Sequence, residues 1–310
     1  MEMGSPRRRI VLAAGLALPF PRGAPAQERR ALRVASKIDT EGTVLGNLMI
    51  GALEARGIRT ENRLALGVTA IVRAALLAGE IDLYPEYTGN GAFFLADEKN
   101  PAWRDARAGY ERVRALDLAR NGIAWLEPAP ANNTWAIAVR RETAAREHLH
   151  TMEDFGRWVA AGGRARLAAS AEFVERPDAL PAFQSRYGFR LRQDQLVVLS
   201  GGDTTATIRA AAEQTSGINA AMAYGTDGPL AALGLVLLED TKGAQPVYAP
   251  APVVRAATLA HQPGIAQALA PLMRSLDTPT LQRLNAQVSL EGIDAKQVAA
   301  GYLQSAGLLR

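Results

Sequence analysis

From residue 31 onward, short apolar runs alternate with longer stretches whose apolar residues recur every three or four positions. The run 31–37 reads as a strand, and 43–57 follows as a helix. Val44, Leu45, Leu48, Met49, Ala52 and Leu53 form its stripe, and Gly57 closes it. The same alternation predicts strands at 62–67, 81–85 and 123–128, with helices at 69–79 and 105–122 between them. It resumes after residue 134 with strands at 135–140, 164–170, 195–200 and 218–225. Helices are expected at 151–163, with Thr151 as N-cap, and at 177–187 and 204–214, and the tail 263–310 reads as mostly helical. Strands alternating with helices predict an α/β protein with parallel sheets flanked by helices. Such sheets take ligands outside the carboxyl ends of their strands. Lys37, the segment "YPEYTGNG" and "AYGTDG" sit at such ends, and "NNTW" opens the second half.

The first thirty residues have another character. Arg7, Arg8 and Arg9 precede an apolar run at 10–20 that is too short to span a bilayer, and "APA" at 24–26 has the small-x-small form of a cleavage site. Residues 1–26 are therefore expected to be a removable signal peptide, and the mature chain a periplasmic protein. The leader holds four arginines and one glutamate, so its removal takes the formal charge from +4 to +1. The basic balance belongs to targeting and is no argument for nucleic acid. The 310-residue chain has no cysteine, so an exported form must rely on its core.

Enzyme signatures are missing from the sequence: no nucleophile elbow, phosphate loop, dinucleotide fingerprint or zinc-protease helix. The histidines, His148, His150 and His261, have no cysteine near them, so no metal site and no cofactor are expected. Glu86 reads as ion-paired or solvated, with no nucleophile beside it. The segment "DLYPEYTGNGAFF" (82–94) brings four aromatic rings and two carboxylates to a glycine-rich stretch that reads as a flexible turn reaching solvent.

Together "VASKIDTEG", "DLYPEYTGNGAFF", "APANNTWAIAVR", "FVERPDALPAF" and "AMAYGTDGP" resemble the osmoprotectant-binding subunits of ABC transporters, in the periplasmic betaine-binder branch. The similarity runs from about residue 31 to the C-terminus. It implies a type II periplasmic-binding-protein fold, with two α/β lobes, a hinge and a cleft between them. Lobe one would be 31–133 plus 239–310 and lobe two 134–238, with hinge segments near 131–135 and 235–240. It also implies a monomeric binding subunit rather than an enzyme, carrying glycine betaine, choline or a related quaternary amine to permease and ATPase partners. A sensor without a transporter and an enzyme on the same fold are the alternatives.

A trimethylammonium group has a full charge and no N–H, so aromatic faces grip it where hydrogen-bonding side chains cannot. By the resemblance, Tyr87, Trp135, Tyr224 and Tyr248 form that cage. Trp135 stands where relatives usually carry tyrosine. Tyr84, Phe93 and Phe94 read as core. Arg176 and Lys37 match the positions that hold the ligand carboxylate, where arginine offers a bidentate fork, and Asn90 adds a polar group. Asn133, where relatives often have an acid, is expected to orient the cage or bridge the lobes. The bland reading of Arg176 is an ion pair with Asp178 or Glu175.

Overall fold

Strand direction is what periodicity leaves open, and it organises this molecule. The computed structural model describes residues 1–2, 30–199 and 204–309. The chain divides into a unit at Met1–Arg30, of which only residues 1, 2 and 30 are described, and a unit at Ala31–Arg310. The expected signal peptide falls on residues 1–26, of which 3–26 lie outside the described residues.

Among the described residues, ten strands build two five-stranded sheets in the second unit. The first sheet contains β1 (Leu32–Lys37), β2 (Thr60–Gly67), β3 (Leu83–Tyr87) and β4 (Ile123–Trp125). The second contains β5 (Trp135–Arg140), β6 (Leu167–Ser170), β7 (Leu196–Leu199), β8 (Ala220–Tyr224) and β9 (Leu235–Leu237). The last strand, β10 (Pro250–Arg255), returns to the first sheet, giving the orders β2-β1-β3-β10-β4 and β7-β6-β8-β5-β9. The expected parallel pairing holds for β1 with β2 and β3 and for β6 with β7 and β8. β10 runs antiparallel to β3 and β4, and β5 runs antiparallel to β8 and β9. An apolar run does not encode direction, and each of these strands enters its sheet after a crossing from the other one.

Helix ends follow local chemistry. The first helix starts at Thr40 rather than 43, because the Asp39 side chain accepts from the Gly42 N–H at 2.7 Å and caps it. Thr151 caps Met152–Ala160 reciprocally with Asp154, as its position predicts. Gly122, at φ 65°, stops Ala106–Asn121 in the left-handed conformation that favours glycine. The helix expected at 177–187 starts later, and a separate short helix lies before it. Arg176 precedes Pro177, whose ring disfavours helical backbone before it, so Arg176 is extended (φ −67°, ψ 126°). Ala171–Glu175 therefore ends there, and Leu180–Tyr187 starts anew with Pro181 in its first turn. The tail forms Gly264–Ser275, Thr278–Ser289 and Ala295–Ser305.

Among the described residues, buried apolar side chains fall into four clusters, two around each sheet. The second passage between sheets comes later than the expected 235–240. β9 pairs with β5, Glu239 bridges to Thr151, Ala244 joins a core cluster of the second sheet, and Gln245 donates to the Asp178 carbonyl at 2.8 Å. The two passages then lie side by side. The Asn133 N–H donates to the Tyr248 carbonyl (3.0 Å), the Tyr248 N–H to Asn132 Oδ1 (2.8 Å), and Thr134 Oγ1 to the Pro246 carbonyl (2.7 Å). The tail helix Thr278–Ser289 makes a third link. Gln282 and Asn285 donate to the carbonyls of Gly225 (2.8 Å) and Thr226 (2.9 Å), just past β8.

Candidate functional site

Mixed strand direction brings distant parts of the sequence to one place. β3 ends at Tyr87, and antiparallel β10 begins opposite it, with Pro250 paired to Tyr87, so Tyr248 arrives at the same end of the sheet. In the second sheet, β8 ends at Tyr224 and antiparallel β5 begins at Trp135, its register partner. That pairing stacks the two rings, with centroids 6.3 Å apart and planes 16° from parallel. A cavity of about 540 Å³ opens at these ends. Lys37, Tyr87, Asn90, Asn133, Trp135, Arg176, Tyr224 and Tyr248, the eight residues singled out from the sequence, all line it.

Other parts of the sequence reading change. "TGNG" is helical rather than a flexible loop, and three of its four residues are buried. Thr88–Asn90 is a single 3₁₀ turn running into the short helix Gly91–Phe94, and Thr88, Gly89 and Gly91 are buried. A Cβ on Gly89 would lie 2.8 Å from the Tyr248 ring, and one on Gly91 2.5 Å from Val113. These glycines seat neighbouring side chains, Tyr248 among them. Phe93 is not core. It is 47% exposed and lines the cavity, while Phe94 packs against the first sheet's core. Tyr84 is fully buried, as expected, and donates to Glu86 at 2.9 Å.

Glu86 holds the polar side of the first sheet's rim. It is fully buried and accepts from Lys37 Nζ (2.6 Å), Asn90 Nδ2 (2.7 Å) and the Tyr87 N–H (2.7 Å). The Lys37 ammonium also sits 4.6 Å from the Tyr87 ring centroid. Arg176 is ion-paired, with Asp178 in a bidentate fork (2.7 and 2.9 Å) and with Glu172 at 2.9 Å, not with Glu175. The Asp178 hydrogen bond is the main reason its pKa is raised above the ordinary arginine value. Its guanidinium lies 4.8 Å from the Trp135 centroid and 5.5 Å from that of Phe93. Arg176 thus reaches the cavity already braced by two carboxylates.

Sequence reasoning missed Glu41, which stands second in the first helix and looks like an ordinary first-turn acid. It is buried, lines the cavity, and accepts from the Tyr87 hydroxyl (2.7 Å), Asn133 Nδ2 (3.0 Å) and Asn285 Nδ2 (2.7 Å). Burial raises its pKa above 4.5 against the opposing pull of hydrogen bonds with Thr226, Tyr87 and Asn285. Burial, then the Glu41 charge, holds the Tyr87 phenol well above its usual value, and burial pushes Tyr248 up to about 12. Both rings are therefore neutral phenols at ordinary pH. Among the described residues no group of three or more His, Asp or Glu could hold a metal ion, and no helix is long and apolar enough to cross a membrane.

Residues 30–305 match the family described as the substrate binding domain of ABC-type glycine betaine transport systems. The chain belongs to that family. It is a substrate-binding component, not an enzyme, and its two-lobed α/β fold is the one the resemblance implied. It is 55% identical to the glycine betaine-binding protein YehZ of Escherichia coli (strain K12) over 298 residues, 96% of each chain. It is 32% identical to a glycine-betaine-binding protein of Pseudomonas aeruginosa over 307 residues, 96% of this chain and 92% of that one. Among solved structures, apo YehZ from Escherichia coli superposes with a TM-score of 0.84 at 57% identity, covering 90% of this chain and all of the other.

Proposed function

We propose that this protein is the periplasmic binding subunit of an ABC importer for glycine betaine or a related quaternary amine such as choline or proline betaine. The observation that carries the reading is the convergence of Tyr87, Trp135, Tyr224 and Tyr248, from four separate segments, on one cavity that also holds Lys37 and Arg176. Each aromatic face offers a trimethylammonium roughly 0.5–2 kcal/mol, so several are needed. Arg176 keeps N–H groups beyond the three its carboxylates use, and these would take the ligand carboxylate. Lys37 and Asn90, held by Glu86, would supply the remaining polar contacts, and Asn133 joins the cage to Glu41.

In this reading the lobes are 31–133 with 246–309, and 134–245, following the contacts of residues 239–245. They close on the ligand about the paired passages at 132–134 and 246–248. Residues 1–26 direct export, and the mature monomer delivers its ligand to permease and ATPase subunits.

Calorimetric titration of the mature protein tests this. Glycine betaine, choline, carnitine and proline betaine are compared with an uncharged analogue bearing tert-butyl in place of trimethylammonium. A cage prefers the charged ligands, whereas a merely apolar pocket prefers the neutral one. Equal or tighter binding of the neutral analogue, or no binding of any quaternary amine, refutes the proposal.

A further inference from the structure

Four carboxylates are buried among the described residues: Glu41, Asp82, Glu86 and Asp117. Three have a cation in contact. Lys37 lies 2.6 Å from Glu86, Arg73 pairs with Asp117, and Arg33 and Arg255 pair with Asp82. Glu41 is the exception. Every donor described above for it, the side chains of Tyr87 and Thr226 and the side-chain amides of Asn133 and Asn285, is neutral. The nearest lysine of the cavity wall is committed to Glu86, and Arg176 to Asp178 and Glu172.

A buried charge without a partner is costly unless something neutralises it. The surroundings of Glu41 sharpen that demand. The amide oxygens Asn133 Oδ1 and Asn285 Oδ1 are buried and find no donor among the described residues. Their amide nitrogens are the ends that face Glu41, so the amides cannot turn over without setting oxygen against carboxylate. These oxygens are shielded and offer Glu41 no positive partner, while Glu41 lines the cavity beside Tyr87 with a second carboxylate, Asp39, on the same wall. A wall of carboxylate oxygens suits a cation that carries no N–H, because the polarised C–H groups of a methylated ammonium make weak contacts with such oxygens.

We infer that the ligand itself supplies the missing cation, and that Glu41 is the counter-charge that selects a quaternary ammonium over an uncharged group of the same shape. The inference rests on the reading of the cavity as a quaternary-amine site. Glu41 also touches both sides of the cleft, through Tyr87 on the first sheet and through Asn285, which binds the Thr226 carbonyl after β8. A ligand that neutralises Glu41 thereby acts on the node where the two sides meet.

The test compares choline with 3,3-dimethyl-1-butanol, its uncharged carbon isostere, on wild type, Glu41→Gln and Glu41→Asp by calorimetric competition. Lost packing or altered closure weakens both ligands alike, whereas a lost counter-charge weakens choline alone. The expected result is a fall of roughly tenfold or more in the choline-to-isostere affinity ratio for Glu41→Gln, with most of the ratio kept by Glu41→Asp. A Glu41→Gln ratio within twofold of wild type overturns the counter-charge. If Glu41→Gln does not fold, Glu41→Ala takes its place in the same comparison: a fall of roughly tenfold in the ratio supports the inference, and parallel losses for both ligands overturn it. A wild type that binds no quaternary amine overturns the reading of the cavity instead, so the two failures are distinct.

Discussion

Gly228→Ala tests whether the tail helix and the segment after β8 work as a closed contact. Gly228 has right-handed backbone (φ −60°, ψ −43°), so alanine meets no conformational strain there. Its Cβ would, however, lie 2.3 Å from the Ala286 amide nitrogen, 2.6 Å from the Asn285 carbonyl carbon and 2.7 Å from Ala286 Cα. These are backbone atoms of Thr278–Ser289, and no rotamer change moves them. Ordinary contact requires the helix to retreat by about 1 Å, and overpacking of this kind costs about 1–3 kcal/mol. Alanine also narrows the unfolded ensemble, which offsets about 0.4–1 kcal/mol. The retreat lengthens the bonds from Gln282 to Gly225 and from Asn285 to Thr226, each worth about 0.5–1.5 kcal/mol. The expected net loss is about 1–2 kcal/mol by urea unfolding of the ligand-free protein, or, if the two sides part instead, a smaller loss with weakened glycine betaine binding and a larger radius by small-angle scattering. Stabilisation of about 0.4–1 kcal/mol with unchanged affinity would refute the reasoning, because it would mean that the helix yields freely.

Arg176→Ala should weaken glycine betaine far more than choline by calorimetry, since choline has no carboxylate. Breaking one side of a buried charge pair costs about 2–5 kcal/mol, and a side chain 30% exposed belongs at the lower end; equal losses for both ligands would make Arg176 purely structural, an anchor for Asp178 and the Trp135 face. The Glu41 pKa is raised in the folded protein, so between about pH 4.5 and that raised value the folded state binds more protons than the unfolded one. Ligand-free stability should therefore fall as pH rises through this window, and Glu41→Gln should remove that part of the slope; parallel curves for the two proteins in urea unfolding from about pH 4.5 to 7 would show that Glu41 does not titrate there.

What the sequence carries by itself is local. Thr151 before an acidic turn caps a helix, Gly122 after a periodic run stops one, and "WAIAVR" forms a strand over the residues that its apolar pattern marks. Aromatic and basic residues at strand ends are visible in the same way, and Lys37, Tyr87 and Tyr224 do share a cavity. Pro177 even dictates that Arg176 leaves the helix before it, a local signal that the sequence reading passed over together with the short helix Ala171–Glu175. Tertiary structure decided the rest. Nothing local says that β5 and β10 run backwards, yet that reversal sets Trp135 against Tyr224 and Tyr248 beside Tyr87. Nothing local separates Glu41 from any first-turn acid, because its burial comes from Tyr87, Asn133 and Asn285, which lie 46, 92 and 244 residues away. Phe93 and the glycines of "TGNG" exchange their expected places for the same reason: exposure and close approach are properties of what packs against a residue. Capping, turn and periodic signals act over a few residues, where the chain is its own neighbour. The charge balance of a cavity depends on contacts made across the whole chain, and only the assembled sheets bring those groups within a hydrogen bond of one another.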